Sequence, residues 1–215
     1  MSSMPVRGLA QVPLFEAIPP EALDGLAAHS ATRTFPKHAI IINEGDATDA
    51  LYVIVEGRVK IFLTGDNGRE FVLGTASQGE YFGELAMNGS ARSASVMALE
   101  RCRCTVVARA DMQAFVARYP AVALTIMGNL NRRVRALTEH VKSLALMDVY
   151  GRVARLLLDT AQDGGAAALS QQGIADRVGA SRQMVSRVMN DLITGGYVAR
   201  EGRGFVVLRR PPRAW

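Results

Sequence analysis

The sequence predicts an α+β fold in which a β-sandwich or barrel, a long helix and a winged helix-turn-helix follow one another along the chain. Three observations predict it. Short β-like runs separated by Gly and Asp turns fill residues 33–109, and an uninterrupted helical pattern fills residues 121–146. Two short helices around a Gly-Ala turn lie within residues 170–195.

The β-rich region consists of strand-length runs with turn residues between them. Residues 51–55 and 58–63 are separated by Glu56-Gly57, and residues 65–68 close a hairpin into the next apolar run. Runs spaced in this way predict a β-sandwich or a barrel. Short helices are expected to flank it, near residues 20–29 and 111–118.

After Pro120 the pattern becomes that of one long helix with a narrow apolar seam. The seam residues follow steps of four, seven, four and three, and they are Ile126, Leu130, Leu137, Val141 and Leu144. Such a seam is of the coiled-coil type. It predicts a homodimer, because a long helix joining two small domains commonly pairs with a partner helix. The alternative at this stage is a helix that packs on its own domain.

The strongest local signal lies between residues 170 and 195. Ser170 and Ser181 are each suited to cap a helix, and Gly179-Ala180 makes the turn between the two helices. A further helix is expected before them, over residues 148–161. After Gly195-Gly196, two apolar runs flank residues 201–204 and predict a two-stranded wing.

The second helix of this pair combines an apolar stripe with a polar face. The stripe has helical spacing and consists of Val185, Val188, Met189, Leu192 and Ile193. The polar face and the caps supply the predicted DNA-binding residues, which are Ser170, Ser181, Arg182, Gln183, Ser186 and Arg187. Arg pairs with guanine and Gln with adenine through two hydrogen bonds, at the end of the helix that enters the major groove. Serine hydroxyls and nearby amides can hold phosphate. The alternative is an ordinary amphipathic helix.

Charge and composition agree with a partner that carries phosphate. The 215 residues have a net charge of +5, and residues 148–215 contain ten Arg against six acidic residues. Such asymmetry is expected where one end of a protein contacts nucleic acid.

No apolar stretch reaches the ~20 residues of a membrane span, and the first residues lack the apolar region of a signal peptide. A cytoplasmic protein without membrane contact is therefore expected.

Catalysis and metal binding find no support in the sequence. It contains no nucleophile–base pair, metal-ligand cluster or Walker loop, so we expect neither an enzyme nor a metalloprotein. The two cysteines, Cys102 and Cys104, alternate along a predicted strand and are expected to be small buried hydrophobic residues.

One stretch of the β-rich region requires a chemical explanation. Gly83 lets the backbone approach a ligand, and Glu84 and Leu85 open a short helical turn whose free amides favour an anion. Arg92 has small and apolar neighbours, so it is expected to be buried and to need an anionic partner. A phosphodiester with a ribose satisfies these groups, since Glu84 can accept sugar hydroxyls. The alternative is that Arg92 and Glu84 pair with each other.

With these motifs in place, the chain resembles the cyclic-AMP receptor protein/FNR (Crp/Fnr) family of bacterial transcription regulators. The resemblance covers residues 14–208 and rests on three segments, namely Phe82-Gly83-Glu84-Leu85 with Arg92-Ser93-Ala94, residues 144–149 and residues 179–187. It implies a cyclic-nucleotide-binding β jelly roll over residues 1–120, a dimerisation helix over 121–147 and a winged helix-turn-helix domain over 148–215.

The resemblance also implies a ligand site and partners. The implied ligand-binding residues are Gly83, Glu84, Leu85, Arg92, Ser93, Arg133 and Thr138. In cyclic-AMP binders of this family, residues like Glu84 and Arg92 hold ribose and phosphate. Positions like Arg133 and Thr138 lie near the base, the latter reaching across the dimer. Expected partners are cyclic AMP, double-stranded DNA, a second copy of the chain and RNA polymerase.

Four alternatives stay open at this point. Cyclic di-GMP has two phosphates and could use Arg132, Arg133 and Arg135, although a helix spreads these over different faces. A degenerate pocket would give a ligand-independent regulator. An enzyme subunit regulated by a cyclic nucleotide would not need a DNA-reading helix, and an architectural DNA-binding protein would not need a buried Arg92.

Overall fold

The computed structural model describes residues 9–162, 169–202 and 204–212. Contacts divide the chain into two compact units. The first holds residues 9–64 and 72–133, and the second holds residues 65–71 with the described residues from 134 onwards. No helix in the described ranges is both long and apolar enough to cross a membrane.

Two four-stranded sheets form the centre of the first unit. The strands are β1 (Ala31–Phe35), β2 (Ile40–Ile42), β3 (Ala50–Glu56), β4 (Arg58–Thr64), β5 (Glu70–Ser77), β6 (Tyr81–Phe82), β7 (Ser95–Ala98) and β8 (Cys102–Ala108). One sheet has the order β1-β8-β3-β6 and the other the order β2-β7-β4-β5. Because most neighbours in a sheet are distant in sequence, residues 83–92 are brought against β3, far from them along the chain.

Alternation along the strands places apolar side chains between the sheets. Ile54 of β3 and Val59 of β4 are fully buried there, and so are Cys102 and Cys104, as the sequence predicted. Gly57 turns the chain between these two strands at φ +95°. A Cβ atom at this position would lie 2.6 Å from the Arg101 carbonyl oxygen, so the turn requires glycine.

Helices pack on the other side of the β3 and β8 strands. They are α1 (Pro20–Ala28), α2 (Arg109–Arg118) and the first turns of α3 (Ala121–Leu146), with short 3-10 turns at Pro13–Phe15 and Glu84–Asn88. Their apolar residues join Leu51, Val53 and Val107 in one core cluster. Phe15 and Phe115 meet edge to face within it, with ring centroids 5.9 Å apart.

Helix α3 leaves most of its apolar side chains exposed. Ile126 packs against the core of the first unit, so its assignment to the apolar seam predicted to pair with a partner helix is wrong. It is the residue before Met127, and a step of one residue turns the helix by about 100°, which places Ile126 against this core instead of on the seam. The observed seam follows alternating steps of three and four and consists of the half-buried Leu130 and the exposed Met127, Val134, Leu137, Val141 and Leu144. This is the heptad spacing of paired helices.

The second unit contains the helix-turn-helix and the wing. Its elements after α3 are α4 (Val149–Gln162), α5 (Gln171–Val178), α6 (Arg182–Thr194), β9 (Val198–Glu201) and β10 (Gly204–Val207). Val185, Met189 and Leu192 of α6 are fully buried in its core. Ile193 is 37% exposed, so its assignment to the buried stripe is wrong. One residue beyond Leu192, the helix has turned by about 100° and points Ile193 away from the core.

Candidate functional site

A small cavity in the first unit collects the residues predicted to bind a ligand. Its volume is about 70 Å³, and it is lined by Ile42, Ile61, Phe82, Gly83, Glu84, Leu85, Arg92, Ser93, Ala94, Val96 and Arg133. Strand β6 and the 3-10 turn Glu84–Asn88 supply one wall, and the residues just before and within β7 supply another. The cavity therefore has an apolar floor and charged groups of both signs at its edge.

Gly83 allows the backbone to approach Arg92 closely. Its φ is +89°, and a Cβ atom there would lie 2.6 Å from Arg92 Nη1 and 2.9 Å from the Ala50 carbonyl oxygen. The backbone conformation and the lack of space both require glycine. A side chain at Gly83 would push the Arg92 guanidinium out of its position.

Arg92 is buried without a carboxylate among its hydrogen-bond acceptors. Only 5% of the residue is exposed. Its Nε donates to Thr48 Oγ1 at 2.9 Å, its Nη1 to the Gly83 carbonyl at 2.9 Å and its Nη2 to the Ala50 carbonyl at 2.8 Å. All three acceptors are neutral, so these bonds fix the guanidinium without neutralising its charge. Burial lowers the pKa of Arg92, which reflects the cost of a desolvated cation.

Glu84 pairs with Arg133 of α3, and the alternative pairing of Glu84 with Arg92 is absent. The Arg133 Nη1 donates to Glu84 Oε1, and its Nη2 donates to the Tyr81 carbonyl at 2.8 Å. Glu84 Oε2 is buried and has no hydrogen-bond partner among the described residues. An unpartnered buried carboxylate oxygen is a costly arrangement that a hydroxyl donor would relieve.

Tyr81 holds the long helix next to this carboxylate. Its hydroxyl accepts a hydrogen bond from Asn129 Nδ2 at 2.6 Å, and its ring centroid lies 5.7 Å from the Arg133 guanidinium carbon. Burial is the main cause that raises the pKa of Tyr81. Asn129, Arg133 and Tyr81 thereby fix the first half of α3 against the β-rich core.

The remaining predicted ligand residues differ in their surroundings. Leu85 is 51% exposed and Ser93 is exposed, and both line the cavity. Thr138 lies on the part of α3 that belongs to the second unit, where its hydroxyl donates to the Val134 carbonyl at 2.9 Å. Thr48 and the Ala50 carbonyl could not be predicted as partners of Arg92, because the local sequence pattern gives no information on acceptors more than forty residues away.

Helix α6 presents the predicted reading residues to solvent. Arg182, Gln183 and Arg187 are exposed, and Ser186 is half-buried. The caps are formed as predicted: Ser181 Oγ accepts from the Met184 amide at 3.2 Å, and Ser170 Oγ accepts from the Gly173 amide at 3.1 Å. Each hydroxyl keeps a proton that it can donate to a phosphate oxygen.

The wing is an antiparallel hairpin with arginines stacked on its aromatic side chains. Strands β9 and β10 pair from Val198 with Val207 to Glu201 with Gly204. Arg200 lies 5.9 Å from the Phe205 ring centroid, and Arg209 lies 4.2 Å from that of Tyr197. Arg209 also donates to the Gly195 carbonyl, which joins the wing to the end of α6.

No cluster of potential metal-binding side chains occurs in the part of the chain that the structure describes.

Comparison with known proteins matches both halves of the chain. A model of the cyclic nucleotide-binding domain matches residues 32–119, and a model of the Crp-like helix-turn-helix domain matches residues 151–213. The cAMP-activated global transcriptional regulator Vfr of Pseudomonas aeruginosa is 35% identical, in an alignment that covers 86% of this chain and 92% of that protein.

Two solved structures are similar along most of the chain. The c-di-GMP responsive global regulator CLP of Xanthomonas campestris has a TM-score of 0.80 and 25% identity, covering 88% of this chain and 99% of that chain. The catabolite activator protein of Thermus thermophilus has a TM-score of 0.56 and 31% identity, covering 91% and 93%. These matches confirm the predicted α+β fold. The chain therefore belongs to the Crp/Fnr family of transcription regulators, with a cyclic nucleotide-binding domain followed by a helix-turn-helix domain.

Proposed function

We propose that the protein is a homodimeric, cyclic-AMP-gated regulator that reads a palindromic operator in double-stranded DNA. One observation carries the choice of ligand class. A buried guanidinium bonded only to neutral oxygens, on Arg92, lies in the same cavity as the unpartnered buried Oε2 atom of Glu84. The first needs an anion and the second needs a hydroxyl donor, and a phosphate attached to a ribose provides both.

Cyclic AMP provides one phosphate for Arg92 and one ribose hydroxyl for Glu84. Its single phosphate takes the N–H groups of Arg92 that are not used within the protein, together with the Ser93 hydroxyl. Its ribose 2′-hydroxyl donates to Glu84 Oε2. The exposed Leu85 and the side chain of Ile61 offer apolar contacts to the ring system. In this proposal the adenine base is bound by Arg133 of the same copy and by Thr138 of the partner subunit.

Cyclic di-GMP is the alternative ligand, because the chain is similar to the c-di-GMP responsive regulator CLP. It carries two phosphates and two guanines, so it favours several free arginines. Of the three candidate arginines on α3, Arg133 bonds Glu84 and the Tyr81 carbonyl, and Arg132 bonds Asn129 Oδ1. Arg135 is exposed and does not line the cavity. One buried arginine and one unpartnered carboxylate oxygen therefore favour a mononucleotide.

The gating mechanism follows from the residue that Glu84 contacts. A ligand activates only if it binds the DNA-competent state more tightly than the inactive state. In our proposal the ribose hydroxyl joins Arg133 at Glu84 by bonding the second carboxylate oxygen, so binding changes the contact between Glu84 and α3. Helix α3 also carries the exposed heptad seam, through which we propose that two copies pair. Ligand would thereby act on the arrangement of the dimer.

DNA reading is assigned to α6 in the same proposal. Arg182, Gln183, Ser186 and Arg187 contact base edges, and the helix caps Ser170 and Ser181 contact phosphates. Two copies would place their reading helices one DNA turn apart, roughly 34 Å, and so select a palindrome. RNA polymerase is the further partner proposed for a cytoplasmic regulator that does not act as an enzyme.

Calorimetric titration of the full chain with cyclic AMP, cyclic GMP and cyclic di-GMP tests the ligand. We expect saturable cyclic AMP binding with one high-affinity site per chain, together with increased affinity for a selected operator in fluorescence anisotropy. Tight binding of cyclic di-GMP without cyclic AMP binding would overturn the choice of mononucleotide. Binding of none of the three would identify a degenerate pocket.

A further inference from the structure

One large apolar side chain is exposed in the first turn of the reading helix, between its buried face and its polar face. Met184 is 49% exposed, whereas Val185, Met189 and Leu192 of the same helix are fully buried. Nothing in the core of the second unit requires it, since the buried cluster of that unit does not include it. Its side chain is therefore available to a partner that approaches this turn of the helix, next to the exposed Gln183 and Arg187.

The position of Met184 on the helix is defined by the cap. Met184 is the third residue of α6, and its amide donates to Ser181 Oγ at 3.2 Å. Gln183 precedes it and Arg187 follows one turn later, and both are exposed. It therefore belongs to the first turn of the helix, the part that enters the major groove in a helix-turn-helix protein.

We propose that Met184 reads the methyl group of a thymine in the major groove, next to the bases that Gln183 and Arg187 contact. This inference rests on the proposed reading of DNA by α6. A methionine side chain has no hydrogen-bond donor, and its flexible thioether adapts to apolar surfaces. The one apolar group that a standard base pair offers in the major groove is the C5-methyl of thymine. A guanidinium and an amide read hydrogen-bond patterns, so Met184 adds a contact of a different chemical kind.

The test uses operator DNA in which single thymines are replaced by uracil. This replacement removes the methyl group and leaves the base-pairing groups unchanged. The operator is first selected from random duplexes with the full chain, in cyclic AMP, in cyclic di-GMP and without nucleotide. For the wild type we expect one thymine per half-site whose replacement weakens binding about fourfold, as for one buried methyl group.

The variants M184S and M184L locate the effect. M184S should bind the thymine operator about fourfold more weakly per half-site and should be insensitive to uracil at that one position. M184L should keep most of the sensitivity because it keeps the apolar contact. The matched control is I193S, since Ile193 is the other exposed large apolar residue described in α6 and lies at its far end. It should respond to uracil as the wild type does.

Three outcomes would overturn the inference. Identical uracil sensitivity of the wild type and M184S at every position would exclude a methyl contact. An equal loss of M184S on operator and random DNA would indicate packing against the sugar-phosphate backbone instead. If the wild type selects no sequence under any of the three conditions, the proposed function itself fails, and the inference fails with it.

Discussion

The carboxylate of Glu84 is shared unequally: one oxygen accepts from Arg133 of the long helix, and the other is buried without a partner. Glu84 has 4% of its side chain exposed, and Arg133 has 36%. Because one oxygen bonds Arg133 and the other is free to accept from a ligand, Glu84 can link ligand binding to α3. Arg92 lines the same cavity and donates only to neutral oxygens.

Replacing Arg133 by Met should destabilise the ligand-free protein. Glu84 would keep its buried charge and lose its counter-ion, which we expect to lower the free energy of unfolding by about 1–3 kcal/mol. The loss should stay below that of a fully buried pair because Arg133 is partly exposed to solvent. Urea denaturation of the wild type, R133M, E84Q and the double variant measures the coupling. Strictly additive effects, or an equal loss in the neighbouring R132M control, would argue against the pair.

Replacing Arg92 by Ala should weaken cyclic AMP binding at least about tenfold. The change removes charge-assisted bonds to the phosphate, each worth roughly 1.5–3 kcal/mol. DNA affinity without ligand should stay nearly unchanged, because Arg92 belongs to the first unit and the reading helix to the second. Calorimetry with cyclic AMP and anisotropy with operator DNA check the two halves of this prediction.

The control for the Arg92 experiment is R58A, which removes an exposed arginine from β4 of the same unit. It changes the net charge equally and should leave cyclic AMP affinity within twofold of the wild type, in the range of a screened surface charge. If both variants weaken binding to the same extent, the effect is one of overall charge. The buried guanidinium would then have no special role in binding.

The sequence predicted the residue types of the candidate site better than their partners. The burial of Arg92 was predictable because small and apolar residues surround it in sequence. Its acceptors, Thr48 and the Ala50 carbonyl, were not predictable, since they reach it through strand pairing between distant segments. The Glu84–Arg133 pair was missed for the same reason, because 49 residues separate its members.

Errors in the helices came from their rotational phase. Ile126 and Met127 differ by one position, and only the packing of the first unit decides which of them contacts its core. Ile193 fits the spacing of the buried stripe of α6, but the core ends at Leu192. Apolar periodicity thus identified both helices, misassigned one residue at the edge of each stripe and missed Val134 within the seam of α3.

Cys104 should be almost inert to alkylation in the folded protein. Burial raises the pKa of its thiol to about 12, and burial also raises the pKa of Cys102. Since the thiolate is the reactive form, iodoacetamide at pH 8 should modify Cys104 about a thousandfold more slowly than an unfolded cysteine.

The free energy of unfolding should also fall as pH rises from the ordinary thiol pKa towards 12, because the Cys104 thiol loses its proton first in the unfolded state.

Mass spectrometry after alkylation with and without guanidinium measures this difference. The unfolded chain should gain two adducts, one at each cysteine, whereas the folded chain should gain neither over the same time. Rapid modification of Cys104 in the folded state would contradict its buried position between the sheets.

Replacing Leu137 by Glu should dissociate the proposed homodimer. Leu137 is 41% exposed in the middle of the heptad seam of α3, where a charge would have to be desolvated on pairing. Sedimentation at micromolar concentration should give a dimer for the wild type and a monomer for L137E. The control R135E introduces the same residue two positions away, outside the seam, and should sediment as a dimer. A wild-type monomer would refute the proposed pairing.

Replacing Arg187 by Ala should separate base reading from general attraction to DNA. Arg187 is exposed on α6, on the side opposite the buried Val185 and Met189, and is placed to donate two hydrogen bonds to a guanine. We expect a loss of about 1–3 kcal/mol on the selected operator and a smaller loss on random duplex of equal length. Binding measured at several salt concentrations adds a second criterion. Loss of a phosphate contact reduces the slope of log affinity against log salt concentration by about one, whereas loss of a base contact leaves that slope unchanged. Equal losses on both DNAs, with a reduced salt dependence, would make Arg187 a phosphate contact and leave Arg182 and Gln183 to read the sequence.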